Sequence, residues 1–307
     1  MPIPFFPDFI PLDISQKEIL HPRLSLTSDG VSEFTFSGLY LFRDRYNYQI
    51  SRIRMPDEEQ GGFIVSGKQN GKRFFSTPCT APDRETLEAL FKTHDYWKNI
   101  SASVLSPVRE KLEKNGIEFK EDRDNFDYLY YRKDLAELAG KKYHKKKNHV
   151  NNFLQAYPDH EQKPMNSQLV PAAMEILEQW RMDTFRKNEF LQNDSENGDY
   201  KAAKEALELF DILPLRGTVY FVNGKPAAWC LGESIARGRM FAIHFEKAAD
   251  EYRGIYQYVN QAFAASLPRF FTLINREQDL GSEGLRQAKM TYRPCDFVRK
   301  YKAIRLS

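Results

Sequence analysis

His244-Phe245-Glu246-Lys247 and Asn275-Arg276-Glu277-Gln278-Asp279-Leu280-Gly281 each crowd ionisable side chains where the pattern reads as the end of a strand. An imidazole, carboxylates, an ammonium and a guanidinium gathered in one cleft could move a proton and hold a developing negative charge, which makes the two stretches a candidate active site. Strand alternation places His244 and Glu246 on one face and Phe245 on the other. The same residues fit a buried ion-pair network that fixes strand ends and does no chemistry.

A second set is cationic. Ala139 to Phe153 holds Lys141, Lys142, Lys145, Lys146 and Lys147 against no acid. At 100° per residue, Leu135, Ala139, Tyr143, Val150, Phe153 and Tyr157 fall on one apolar stripe; Lys146 lies inside it, Lys142 and His149 lie at its edge, and Lys145 points away. A lysine on an apolar face must snorkel to water or meet an anion. Leu285 to Ser307 carries seven bases, among them Lys289 and Arg293, against Asp296 alone. Basic blocks in a chain acidic elsewhere suit an anionic ligand held between them, or simply solvated helix faces.

Other chemical templates are absent. His144 and His149 are five residues apart, one too many for two metal ligands on one helical face, and no metal is expected. There is no nucleophile elbow and no Walker loop. Cys79, Cys230 and Cys295 are far apart and odd in number, so neither a disulfide framework nor a zinc ribbon is expected.

The elements that must carry these residues follow from turns and periodicity. Residues 62–77 read as a hairpin about Asn70-Gly71, and 217–231 as another about Asn223-Gly224. Helices are expected over 83–94, where Asp83 can cap, and over 101–115. Phe126 to Tyr131 reads as a strand. Asp134, with Glu137 three residues on, suggests a capping box opening one long helix to Pro158, or two abutting at Gly140. The polar 159–167 reads as a linker, which divides the chain into 1–158 and 159–307. Beyond it come helices at 168–187 and 199–210 with Asn193–Gly198 as loop, a third strand at 239–245, helix 252–266, strand 270–275, a short helix near 283–290 and a last strand near 301–306. This order indicates an α+β domain with a largely antiparallel sheet flanked by helices.

Composition agrees with a globular protein of 307 residues, 41% hydrophobic and 28% charged, with no stretch long and apolar enough to span a bilayer. Prolines interrupt the apolar N-terminus, no signal peptide is recognised, and a cytoplasmic location is expected.

The runs LAELAGKKYHKKKNHVNNF, HFEKA, VNQAFA and above all INREQDLGSEGLRQAKMTYRP resemble the bacterial proteins that share the C-terminal domain of phosphatidylglycerol lysyltransferase. The resemblance runs from about Asp127 to Arg305. It implies two tandem GNAT-like acyltransferase domains and kinship with enzymes that move an aminoacyl group from tRNA to a lipid or peptide amine or hydroxyl. On that basis His244, Glu246, Lys247, Arg276 and Glu277 are the expected catalytic set, with His244 or Glu246 as base and Arg276 or Lys247 stabilising the oxyanion. Lys142, Lys145, Lys146, His149, Asn275, Gln278, Asp279, Lys289, Tyr292 and Arg293 are the expected donor-binding set for the tRNA acceptor end; the acceptor is a lipid, a peptide or a small molecule. The pattern departs from acetyl-CoA-dependent GNAT enzymes, because aligning Gly254 with their first pyrophosphate-loop glycine puts Glu251 and Tyr256 at the other two positions. An acyl-CoA donor and a non-catalytic nucleic-acid-binding protein stand as the alternatives.

Overall fold

The computed structural model describes residues 2–53, 62–78, 80–187 and 194–306, without the side chains of 185–187 and 194–197; Cys79 and Asn193 lie outside them. Among these residues the first run of strands is β1 (Ile10–Pro11), β2 (Gln49–Arg52), β3 (Phe63–Gln69), β4 (Lys72–Ser76), β5 (Tyr96–Ser101), β6 (Ile117–Glu121) and β7 (Asp127–Tyr131). The second run is β8 (His160–Pro164), β9 (Arg216–Val222), β10 (Lys225–Ile235), β11 (Met240–Ala248), β12 (Leu273–Asn275), β13 (Asp296–Val298) and β14 (Lys300–Arg305). Helices α1 (Lys17–Ser25), α2 (Phe36–Leu41), α3 (Arg43–Tyr46), α4 (Arg84–Thr93), α5 (Ala102–Leu105) and α6 (Arg109–Lys114) accompany the first run. With the second come α7 (Arg132–Glu137), α8 (His144–Ala156), α9 (Val170–Lys187), α10 (Asp194–Glu208), α11 (Ile255–Ser266) and α12 (Glu283–Met290).

Both runs follow one plan. Their sheets are ordered β1-β2-β3-β4-β5-β14-β6 and β8-β9-β10-β11-β12-β7-β13, so five strands lie side by side in chain order and the seventh strand of each run is lent to the other sheet. Each sheet has one parallel pair among the described strands, β4 with β5 and β11 with β12. A helix crossover joins each pair, α4 in the first sheet and α11 in the second. Two mixed, largely antiparallel, helix-flanked sheets are the expected α+β tandem arrangement. Sheet membership does not follow the cut at 158: β7 pairs with β12 and β13, and β14 pairs with β5 and β6.

The largest core lies between the sheets. It joins Phe63, Val65 and Phe74 of the first sheet to Trp229, Leu231 and Phe245 of the second, with apolar residues of α1, α2, α9 and α10 between them. A second core packs α7, α8 and α11 on the far face of the second sheet, and a third packs α4 to α6 on the far face of the first.

Local signals act as expected at both hairpins, where Asn70 (φ 50) and Gly71 (φ 76), then Asn223 (φ 50) and Gly224 (φ 72), supply the left-handed turn. Asp83 caps α4 by accepting from the Thr86 amide at 2.8 Å. Three expectations give way. Residues 159–167 contain β8, an edge strand on β9 whose residues remain largely solvated, which is why the segment reads as linker. Residues 194–198 of the expected loop belong to α10. Between the two forms offered for 134–158, the break is real: α7 starts at Arg132 and stops where Leu138 (φ 45) and Gly140 (φ 82) turn left-handed. Asp134 is not a cap; its carboxylate accepts from Lys142 at 2.7 Å and from the Tyr143 hydroxyl at 3.2 Å.

Candidate active site

The parallel strands β11 and β12 pair only from Met240 to Ala242 and from Leu273 to Asn275, although β11 continues to Ala248. Beyond that point they part, and the chain leaving β12 turns at Glu277 (φ 56). Charged side chains bridge the opening. A β-bulge decides on which side they do so: Gly232 faces Ile243 and Leu231 faces Phe245, leaving His244 as the extra residue. Glycine permits the close approach, because a Cβ at 232 would stand 1.9 Å from the Ala242 carbonyl oxygen. Ile243 therefore packs with α11 while Phe245, two residues on, packs into the core between the sheets. Alternation is broken, so the expectation that His244 and Glu246 share a face is overturned.

His244 points to the inter-sheet side. Its Nε2 lies 3.0 Å from Glu233 Oε1 and its Nδ1 lies 2.7 Å from Glu277 Oε1. Burial disfavours the charged ring, but the two carboxylates outweigh it and push the imidazole pKa up to about 10. Near neutrality both nitrogens carry protons and both are committed. The ring has no lone pair for an incoming proton, so His244 cannot be the general base in this arrangement.

Glu246 and Arg276 meet on the opposite face. Arg276 Nη2 lies 3.4 Å from both oxygens of Glu246. With its amide turned to present oxygen, the buried Asn260 of α11 accepts from Arg276 Nε at 3.3 Å and Nη1 at 2.9 Å. The guanidinium sits 5.2 Å from the centre of the Tyr292 ring, and the Lys146 ammonium sits 4.2 Å from the same ring. Lys146 is half-buried, and among the described residues no carboxylate pairs with it. Burial, and then the nearby Arg276 charge, hold its pKa below the usual lysine value. Burial raises the Tyr292 hydroxyl to about 12 despite Arg276, so the ring stays neutral. The mid-chain helix and the turn after β12 thus converge on Tyr292, which brings two cations to one ring.

The remaining expected residues fall into three groups. Lys247 is turned to other partners than Arg276: its ammonium lies 3.4 Å from the centre of the Trp180 ring and is bonded to Asp199. Lys142 pairs with Asp134, while Lys145, His149 and Arg293 are exposed outside the cluster about Tyr292. Asn275, Gln278, Asp279 and Lys289 are internal braces. The Asn275 amide donates to the Gly30 carbonyl at 2.8 Å and to Asp127 at 3.0 Å, and Gln278 donates to Ser32 Oγ at 2.9 Å.

Asp279 accepts from Arg286 Nε and Nη2 at 2.9 Å each and from Tyr128 at 2.6 Å. Burial alone would raise its pKa, yet these donors hold the carboxyl far below the usual range and fill the oxygens a substrate would need. Lys289 donates to the carbonyls of Arg276, at 2.6 Å, and Gln278. Burial lowers its pKa to about 8. It clamps the turn and does not reach outward for phosphate.

Sequence reasoning missed Glu233, Asn260 and the buried pair Asp127 and Lys300. Glu233 carried a signal, since it is the lone carboxylate in the apolar run of β10. Asn260 shows none within an ordinary helical stripe.

At the start of α11, Gly254 adopts φ 90, and a Cβ on it would lie 2.9 Å from the His149 carbonyl oxygen and 3.3 Å from Phe153 Cβ. The backbone of α8 thus lies close against Gly254 at that helix start.

The chain can be compared with known proteins on this geometry. It is 28% identical, with a TM-score of 0.84, to a conserved protein of unknown function from Bacteroides thetaiotaomicron, the match covering 97% of this chain and 99% of that one. The C-terminal domain of a putative lysylphosphatidylglycerol synthetase from Agrobacterium fabrum shares the fold at TM-score 0.59 and 12% identity, over 96% of this chain and 93% of that one. The L-PGS of Bacillus licheniformis does so at TM-score 0.53 and 12% identity, over 87% and 90%. An uncharacterized protein of Mycoplasmoides gallisepticum is 25% identical over 182 residues, 57% of this chain and 54% of that protein, so the chain spans about half the length of this curated relative. Residues 25–304 match the model of the phosphatidylglycerol lysyltransferase C-terminal family, to which the chain therefore belongs.

Proposed function

We propose that this protein is an acyltransferase that moves an aminoacyl group from aminoacyl-tRNA to an amine or hydroxyl acceptor. Membership of a lysyltransferase family supports the acyl-transfer chemistry. The observation that carries the donor assignment is the convergence of Lys146 and Arg276 on Tyr292, with Lys146 lacking a carboxylate partner among the described residues. Exposed lysines at 141, 145 and 147, outside that cluster, add positive charge to α8 and the turn before it. Such a surface suits a polyphosphate chain bound largely without base reading. The packing of α8 against Gly254 opposes the acyl-CoA alternative.

In the transfer, a bond forms from the acceptor nitrogen or oxygen to the acyl carbon, the ester bond to the ribose breaks, and the acceptor's proton ends on the ribose hydroxyl. With His244 already protonated and on the other face, Glu246, 13% exposed at its side chain and beside Arg276, is the carboxylate placed to relay that proton. Arg276 and Lys146 supply positive charge for phosphate or oxyanion.

Binding of charged tRNA measured between about 50 and 200 mM salt tests the donor assignment. Affinity is expected to fall steeply with salt, and Lys146→Ala to weaken binding with a salt slope smaller by about one. Salt-insensitive or absent binding overturns the assignment, and thermal stabilisation by acetyl-CoA with none by tRNA returns the acyl-CoA reading.

A further inference from the structure

The two lent strands bring a buried ion pair to the seam between the sheets. Lys300, the first residue of β14, and Asp127, the first of β7, are both 0% exposed, and Lys300 Nζ lies 2.7 Å from Asp127 Oδ1. The ammonium also meets Glu33. The Asp127 carboxylate is saturated: Oδ1 also accepts from the Ser32 hydroxyl at 3.0 Å, and Oδ2 accepts from the Ser32 amide at 2.9 Å and from Asn275 Nδ2 at 3.0 Å. Held this way, Asn275 presents its own oxygen to the backbone amide of Glu277 at 2.7 Å. That bond fixes the left-handed turn at Glu277, and the Glu277 carboxylate then reaches His244. An unbroken series of hydrogen bonds thus leads from Lys300 on the first sheet to the imidazole on the second.

We propose that Lys300 is a positioning residue for the His244 cluster: by clamping Asp127 across the seam it fixes Asn275, and through it the turn that aims Glu277 at the imidazole. The inference goes beyond the donor assignment, since it concerns how one sheet sets the geometry of the other and holds whatever the substrate proves to be. Glu33 is the built-in contrast, because it touches the ammonium and, at 3.3 Å, the Ser32 hydroxyl, but bonds to neither Asp127 nor Asn275. The charged groups facing the imidazole itself are Glu233 from β10 and Glu277; those about Lys300 are Asp127, Glu33 and, at longer range, Lys98.

The test is nitrogen-15 imidazole NMR of the full chain, with the His244 signal assigned by its loss in His244→Gln. Lys300→Met is expected to lower the His244 titration midpoint by at least one pH unit, while Glu33→Gln leaves it in place. If Lys300→Met yields no folded chain, Asp127→Asn and Ser32→Ala loosen the same grip and are expected to move the midpoint in the same direction. A folded variant of Lys300, Asp127 or Ser32 that melts earlier but leaves His244 titrating as in the wild type would overturn the proposal, as would an equal shift in Glu33→Gln. Failure of tRNA binding, by contrast, leaves these outcomes untouched.

Discussion

At the scale of single residues, the site is two ionic groups back to back, and each makes a measurable demand. Because the His244 pKa in the fold, about 10, lies above its usual 6.5, the stability it contributes is complete below about pH 6.5 and drains away as pH rises toward 10. Urea unfolding across that window is expected to show a steeper loss for the wild type than for His244→Gln. Arg276 makes the opposite kind of demand. Its removal leaves Glu246, whose side chain is 13% exposed, without a counter-charge, so Arg276→Ala should cost about 3–5 kcal/mol. Arg276→Met with Glu246→Leu should cost clearly less, a difference that denaturant titration of the two variants resolves. The pairing of these residues was legible in the sequence, because charged groups where strands end must find partners. Their division between two faces was not, since the bulge at His244 leaves no mark except the small Gly232 opposite it.

Among the elements, legibility followed how local the cause is. Both Asn-Gly hairpins and the Asp83 cap are set by residues within a turn of one another, and they form where expected. The solvated edge strand β8 was hidden because neither face carries an apolar row. Lys146 stood out on the α8 stripe and does reach the site, whereas Lys289, expected in the donor-binding set, clamps the carbonyls of the turn after β12, contacts that no local pattern announces. The contact of α8 with α11 yields its own expectation. Gly254→Ala would both strain a left-handed residue and press on the His149 carbonyl, so a loss of more than about 1 kcal/mol is expected, read from thermal melts. A fully stable variant would show that the two helices are not in close backbone contact.

For the molecule as a whole, β7 and β14 were each recognisable as strands, but nothing near them in the sequence says which sheet receives them. Residues 1–131 and 132–307 produced apart would each lack a strand that the other run supplies inside its sheet. Neither piece is expected to melt cooperatively alone, and mixing them should restore a single transition by circular dichroism. Two independent transitions would show that the exchange is dispensable. The lent strand also bears on how the protein is made. At about 5–20 residues per second, the ribosome completes β1 to β6 well before β14 exists. The gap between β5 and β6 then stays open until residues 300–305 have cleared the exit tunnel, so the first half of the polypeptide needs shielding while the second half is made.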